Sequence, residues 1–170
     1  RKLGLDDETR LSGHGVSWCA TCDGFFFKDK PIAVVGGGDS ALEEALFLTN
    51  FASNVTIIHR RDSLRASEIM QERALNNPKI TFIWDSAVVG IEGEAKTEAL
   101  QVENLKSGLT QRLEVDGLFV AIGSDPRTDL VKDQLELTPE GTIAVNGRSS
   151  KTNVPGVFAA GDVIDPTYRQ

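Results

Sequence analysis

Apolar positions along this chain alternate between two periods. Pro31 to Val35 is a short, β-branched run with no polar interruption, the pattern of a strand buried on both faces. Asp39 to Phe51 follows with Ala41, Leu42, Ala45, Leu46 and Leu48 on one side, which predicts an amphipathic helix. Asn54 to His59 returns to a strand pattern through Val55, Ile57 and Ile58. Ser67 to Asn76 reads as a second helix stopped by Asn77-Pro78, and Ile80 to Trp84 as a third strand. The order strand, helix, strand, helix, strand is that of a dinucleotide-binding half.

The pattern then changes. Ala87 to Glu92, Glu98 to Lys106 and Thr110 to Val115 alternate in polarity, with Gly93 and Ser107-Gly108 between them, and predict an antiparallel meander used as a crossover. Leu118 to Ile122 is again an apolar strand, ending at Gly123. Beyond it Pro126, Pro139 and Gly141 mark loops, and Ile143 to Val145 and Val157 to Ala160 read as strands before Gly161-Asp162. The fold class expected is α/β: a Rossmann-like, three-layer dinucleotide-binding domain with a β-meander crossover, and a C-terminal piece of a different domain from about Asp125. The first fifteen residues are polar and glycine-containing and read as a linker or connecting strand.

Composition narrows the class. At 40% hydrophobic and 25% charged the chain is ordinary for a globular protein. No run approaches the ~20 apolar residues of a membrane span. The sequence opens on Arg1 with no apolar N-terminal core, so it reads as an excerpt of a cytoplasmic protein. A net charge of −7 argues against nucleic acid or an anionic membrane as partner. Against that background the cluster His59-Arg60-Arg61, with Arg65 close behind, suggests a small anionic ligand.

Gly36-Gly37-Gly38-Asp39-Ser40-Ala41 fits GxGxxA and lies where a strand gives way to a helix. Gly36 permits the tight turn, Gly38 lets backbone approach a pyrophosphate, and Ala41 allows close helix–strand packing. The phosphates would meet free N–H groups at the helix start. NAD sites place a carboxylate about 20 residues on to bind the ribose 2′-hydroxyl. Here His59, Arg60 and Arg61 stand there instead, and Arg65 follows. Guanidinium groups bind a 2′-phosphate with paired hydrogen bonds, so NADPH is expected. Glu43 and Glu44, placed in the first helical turn, are expected to point away from it.

The chain has two cysteines, Cys19 and Cys22. Their spacing allows a redox dithiol, half a zinc site completed by His14 and His59, or two small core residues. Asp23 next to Cys22 is placed either to shuttle a proton or to cap a helix.

Ser17-Trp18-Cys19-Ala20-Thr21-Cys22-Asp23-Gly24 resembles the active-site segment of bacterial-type, low-molecular-weight thioredoxin reductases. Val34 to Ala45 and His59 to Arg65 resemble that family's NADPH fingerprint, and Phe158 to Asp162 with Tyr168-Arg169-Gln170 its later flavin segment. The resemblance implies a FAD domain split around an NADPH domain: residues 1–12 the crossover, 13–123 the NADPH domain carrying the CxxC, and 124–170 a partial return into the FAD domain. It implies electron flow from NADPH through FAD and a Cys19–Cys22 disulfide to thioredoxin. In that scheme Cys22 faces the flavin, Cys19 attacks thioredoxin, Asp23 is the general acid/base, and the domains rotate between half-reactions. Ser40, His59, Arg60, Arg61, Arg65 and Ile122, with Gly36, Gly38, Asp39, Ala41 and Gly123, would line the NADPH site. Gly161, Asp162, Arg169 and Gln170 would contact FAD, and no metal is implied. The full-length protein would be a homodimer, and a fragment lacking most of the FAD domain monomeric. The family's N-terminal FAD fingerprint is absent, so this stretch alone is not expected to hold FAD tightly. Ser124-Asp125-Pro126-Arg127 stands where the family often has His-x-Pro-Asn, which touches no catalytic position. The alternatives are a reductase serving a peroxidase system, a ferredoxin reductase, which should lack the cysteine pair, or a non-catalytic NADPH-binding module.

Overall fold

The computed structural model describes residues 1–165. The chain divides into two compact units after Gly123.

The first unit is built on a five-stranded parallel sheet. Its strands are β1 (Val16–Ser17), β2 (Pro31–Val35), β3 (Asn54–Ile58), β4 (Ile80–Ile83) and, after a three-stranded excursion, β8 (Gly117–Val120). The order across the sheet is β1-β8-β2-β3-β4. Ile32, Ala33 and Val34 have no solvent exposure, as expected for a central strand with both faces covered. Pro31, which lacks an N–H, stands at the start of β2, where a missing donor does least harm.

One face of the sheet carries α2 (Ala20–Asp23), a 3-10 turn (Gly24–Phe27), α3 (Asp39–Leu48) and α4 (Glu68–Leu75). Ala41, Leu42, Ala45 and Leu48 of α3 are fully buried on it, and the two alanines let the helix lie close. The other face is covered by the antiparallel meander β5 (Ser86–Glu92), β6 (Ala99–Asn104) and β7 (Thr110–Glu114). Val88, Ile91, Leu100 and Val102 pack there against Ala33, Val35, Ile58 and Leu118. The result is three layers: helices, parallel sheet, meander.

Within the first unit four expectations are corrected. The N-terminal segment is not a bare linker: Asp6–Arg10 forms a helix, α1, and Leu11 is 1% exposed against the meander-side core. A fully buried Glu8 holds it in place by accepting the N–H groups of Leu3 (2.9 Å) and Gly4 (3.0 Å). Helix α3 ends at Leu48 rather than Phe51, because the Thr49 hydroxyl and Asn50 amide donate back to the carbonyls of Leu46 and Phe47. Because the helix starts at Asp39, Glu43 and Glu44 are its fifth and sixth residues and lie beyond the first turn, where Asp39 is the acidic residue. Strand β8 stops at Val120, two residues short of Ile122.

The second unit closes a small cluster of Leu135, Ile143 and Ala159. The strands expected at Ile143 to Val145 and Val157 to Ala160 do not form. Each segment makes one isolated bridge, Leu137 with Ile143 and Lys151 with Phe158. A ladder needs a neighbour along its length, and among the described residues of this unit none is present.

Candidate functional site

Strand β2 is the switch point of the sheet. Chain order runs from it outward through β3 and β4 on one side, then crosses back to β8 on the other. In open α/β sheets the crevice at the carboxyl ends of such strands is where ligands bind. A cleft of about 710 Å³ opens there. The turn Gly36 to Ala41 forms its floor, Ala121 to Gly123 one wall, and Arg60 and Arg65 another.

The three glycines do different work. Gly36 has φ of 152°, and a Cβ on it would lie 2.4 Å from the Ala121 carbonyl oxygen and 2.6 Å from Ala41 Cβ. It is therefore required for the fold. Gly37 lies against the His59 ring. Gly38 has extended dihedrals and nothing within 4 Å of a would-be Cβ, so it faces open space. Just past it the first N–H groups of α3 lack intrahelical partners and carry the positive end of the helix dipole.

The basic segment after β3 folds back onto this turn. Arg65 N–H donates to Gly37 O at 2.7 Å. Ser67 donates both its N–H (2.9 Å) and its hydroxyl (2.8 Å) to Asp39 Oδ1, holding that carboxyl below its ordinary pKa. His59 is 7% exposed, its Nε2 lies 3.1 Å from Ser63 O, and its ring meets Trp84 edge-on. Burial pushes its pKa down, the Ser63 carbonyl opposes that, and the charges of Arg61, Arg60 and Arg65 push it down further. The imidazole is thus a neutral brace under the glycine turn. The three arginines are exposed, and among the described residues no carboxylate pairs with them. Arg60 and Arg65 line the cleft together with Asp39, Ser40, His59, Ile122 and Gly123, whereas Arg61 does not.

Burial raises the carboxyl of Glu44 to about 7, with Glu43 adding to the effect. Its Oε2 is buried without a hydrogen-bond partner among the described residues.

Cys19 and Cys22 form a disulfide. In register, Ser17 of β1, Phe119 of β8 and Val34 of β2 stand side by side. The cysteine segment and the glycine turn therefore leave the same end of the sheet, two strand spacings or ~10 Å apart. Cys19 is half-buried at the N-cap of α2 and Cys22 is exposed. Ser17, which sequence reasoning did not single out, is 4% exposed and donates to Asp23 Oδ2 at 2.7 Å. The Cys19 N–H in turn donates to the Ser17 hydroxyl at 3.1 Å. The zinc arrangement does not occur: His14 is exposed with its Nδ1 near Ser12 O, His59 lies under the glycine turn, and no metal-binding cluster exists among the described residues. No helix among them is long and apolar enough to cross a membrane.

Gly161 and Asp162 lie in the second unit, in a 3-10 turn over Gly161–Val163. Tyr168, Arg169 and Gln170 fall outside the described residues. Sequence reasoning also missed Arg1, Lys2 and the β5 start, Ser86 to Val88, as cleft-lining residues. Nothing in the local pattern marks them, because they reach the cleft only through tertiary packing.

The sheet order, the glycine turn and the internal disulfide define a Rossmann-like α/β protein of redox type. The family model for pyridine nucleotide-disulphide oxidoreductases matches residues 1–170, and the chain belongs to that family. It is 62% identical over its whole length to a thioredoxin reductase of Streptomyces coelicolor, of which it covers 53%. Among solved structures, a thioredoxin reductase from Streptococcus pyogenes aligns over the entire chain with a TM-score of 0.88 and 46% identity, the chain covering 56% of it. A ferredoxin-flavin thioredoxin reductase from Clostridium acetobutylicum aligns over 99% of the chain at a TM-score of 0.58 and 31% identity, with 53% of it covered. The chain spans about half the length of the curated relatives it matches.

Proposed function

We propose that residues 13–123, with 1–12 as crossover, are the NADPH-binding domain of a flavoprotein disulfide reductase that passes electrons from NADPH through FAD and Cys19–Cys22 to thioredoxin. Residues 124–170 would be its return into the FAD domain. The observation that carries this is one unit holding both a switch-point cleft faced by Arg60 and Arg65 and a disulfide at the same end of the sheet.

The cleft fits NADPH. Gly38 leaves room for a pyrophosphate, and exposed guanidiniums without carboxylate partners among the described residues suit a 2′-phosphate. Ser40 and Ile122 stand in the same walls. The fit to FAD is partial: Gly161 and Asp162 would supply a turn and a carboxylate, Arg169 and Gln170 lie outside the described residues, and further contacts would come from the parts of the relatives' length that this chain does not span. A bound FAD would supply two-electron chemistry able to link a nicotinamide hydride to a disulfide.

The chain's own residues then act on sulfur. Reduction of the Cys19–Cys22 bond takes two electrons and two protons and yields two thiols. Exposed Cys22 is accessible to the electron donor; Cys19, once deprotonated, attacks one sulfur of the thioredoxin disulfide and expels the other as a thiolate, and Cys22 then attacks Cys19 to re-form the Cys19–Cys22 bond and release reduced thioredoxin. Asp23, fixed by the Ser17 hydroxyl, holds or returns the proton beside Cys22.

The test is the Arg60→Ala/Arg65→Ala double variant, titrated with NADPH and NADH. Loss of guanidinium–phosphate bonds at ~1.5–3 kcal/mol predicts about 10- to 150-fold weaker NADPH binding with NADH changed little. Equal losses for both nucleotides, or none for NADPH, overturn the assignment.

A further inference from the structure

Ser67 stands at the N-cap of α4 yet makes no capping hydrogen bond with its side chain. A serine at that position ordinarily accepts an N–H from the first helical turn. Here its hydroxyl is turned out of the helix, and both the hydroxyl and the backbone N–H donate to one oxygen of Asp39, 28 residues earlier in the chain. Two residues before Ser67, the Arg65 N–H donates to Gly37 O. Ala66 between them is 7% exposed and belongs to the helix-side core. Residues 65–67 are thus fastened onto residues 37–39 by three hydrogen bonds. At the other end of the basic loop, the His59 ring lies under Gly37 and its Nε2 faces Ser63 O.

Asp39 poses a question of its own. It lies at the first position of α3, beside a turn suited to a pyrophosphate, where a carboxylate would repel the ligand. Two donors from Ser67 occupy one of its oxygens and draw that charge toward the arginine loop and away from the phosphates.

We propose that Asp39 is a positioning residue that sets nucleotide selectivity: through Ser67 it clamps the Arg60–Arg65 loop against the glycine turn, so that the guanidiniums are held ready for a 2′-phosphate. This rests on the NADPH assignment above and extends it to residues that need not touch the 2′-phosphate themselves. An unclamped loop has to be ordered at binding, which lowers affinity only for ligands that use its arginines. NADPH and 2′,5′-ADP use them, whereas NADH does not.

The test measures equilibrium binding of NADPH, NADH and 2′,5′-ADP by calorimetry to the intact flavoprotein and to its Asp39→Ala, Asp39→Asn and Ser67→Ala variants. Asp39→Ala is expected to lower the ratio of NADPH to NADH affinity about tenfold, with 2′,5′-ADP falling in parallel, and Ser67→Ala to lower it by about threefold. Asp39→Asn keeps an oxygen that accepts from Ser67 and should retain most of the ratio. In an Arg60→Ala/Arg65→Ala background, Asp39→Ala should change the ratio little further, because its effect acts through those side chains. If Asp39→Ala or Ser67→Ala weakens NADPH and NADH equally, Asp39 merely orders the glycine turn and the proposal fails. A ratio unchanged in every Asp39 and Ser67 variant also defeats it, while a ratio that still falls in Arg60→Ala/Arg65→Ala would leave the NADPH assignment standing. A ratio unaffected by Arg60→Ala/Arg65→Ala removes the NADPH assignment and this proposal together. Ser67→Ala keeps the selectivity test available if Asp39→Ala does not fold, since no capping bond is lost.

Discussion

The glycine turn offers a separation of folding from binding at neighbouring positions. In Gly36→Ala the new methyl meets the Ala121 carbonyl at 2.4 Å and Ala41 Cβ at 2.6 Å, at a φ of 152°. Strain from that φ is ~1–2 kcal/mol and overpacking adds ~1–3 kcal/mol, together about 2–5 kcal/mol. For a unit of this size, at about 4 °C per kcal/mol, the melting temperature falls by about 8–20 °C. Gly38→Ala meets nothing within 4 Å, and its φ of −98° and ψ of −179° suit alanine. A stiffer unfolded chain contributes ~0.4–1 kcal/mol of stability, and the poorer N-cap removes a similar amount, so melting moves by less than about 4 °C. The methyl would instead occupy the open space that the proposed site gives to a pyrophosphate. Losing one or two hydrogen bonds to a charged group, at ~1.5–3 kcal/mol, weakens NADPH and NADH alike by at least about tenfold. Scanning calorimetry reads the first effect and nucleotide titration the second. A Gly38→Ala protein that melts normally and binds NADPH with wild-type affinity would refute the assignment of this turn to the pyrophosphate.

Two further outcomes follow from buried carboxyl groups. Glu44, raised from 4.5 to about 7, binds its proton more tightly folded than unfolded. Stability is therefore fully present below about pH 4.5 and falls as pH rises toward 7, by ~1–2 kcal/mol after allowing for partial solvent screening. Urea unfolding at about pH 5 and about pH 8 should show Glu44→Gln flattening this fall, and an unchanged slope would exclude Glu44 as its source. Glu8→Ala leaves the Leu3 and Gly4 N–H groups without their acceptor, so hydrogen exchange at those two amides should accelerate by about 5- to 150-fold while β2 stays protected. Unchanged exchange at Leu3 and Gly4 would show that the segment is held by its leucines alone.

The features legible in the sequence are those fixed by local pattern. The β2 and β3 runs were readable because a parallel strand covered on both faces leaves an unbroken apolar stretch. The glycine turn was readable because its position between strand and helix is itself the signal. What was not legible depends on contacts distant in sequence. Helix α1 is five residues long and is held by Glu8 and by packing of Leu11, neither of which has a periodic signature. The Asp39–Ser67 tie joins residues 28 apart, and each reads locally as a helix-start residue. His59 looked like part of a cationic cluster, yet burial makes it a neutral support, and only the fold reveals that burial. The absent strands of the second unit have sound local patterns but no partner along their length among the described residues.

The central claim is that electrons from NADPH reach the Cys19–Cys22 sulfurs. The most direct measurement adds one equivalent of NADPH to the oxidised, flavin-loaded full-length protein without oxygen, then alkylates and maps thiols by mass spectrometry. Two new labels, at Cys19 and Cys22, appearing with NADPH and far more slowly with equimolar NADH, are the expected result. Oxidation of NADPH with both cysteines still unlabelled would contradict it.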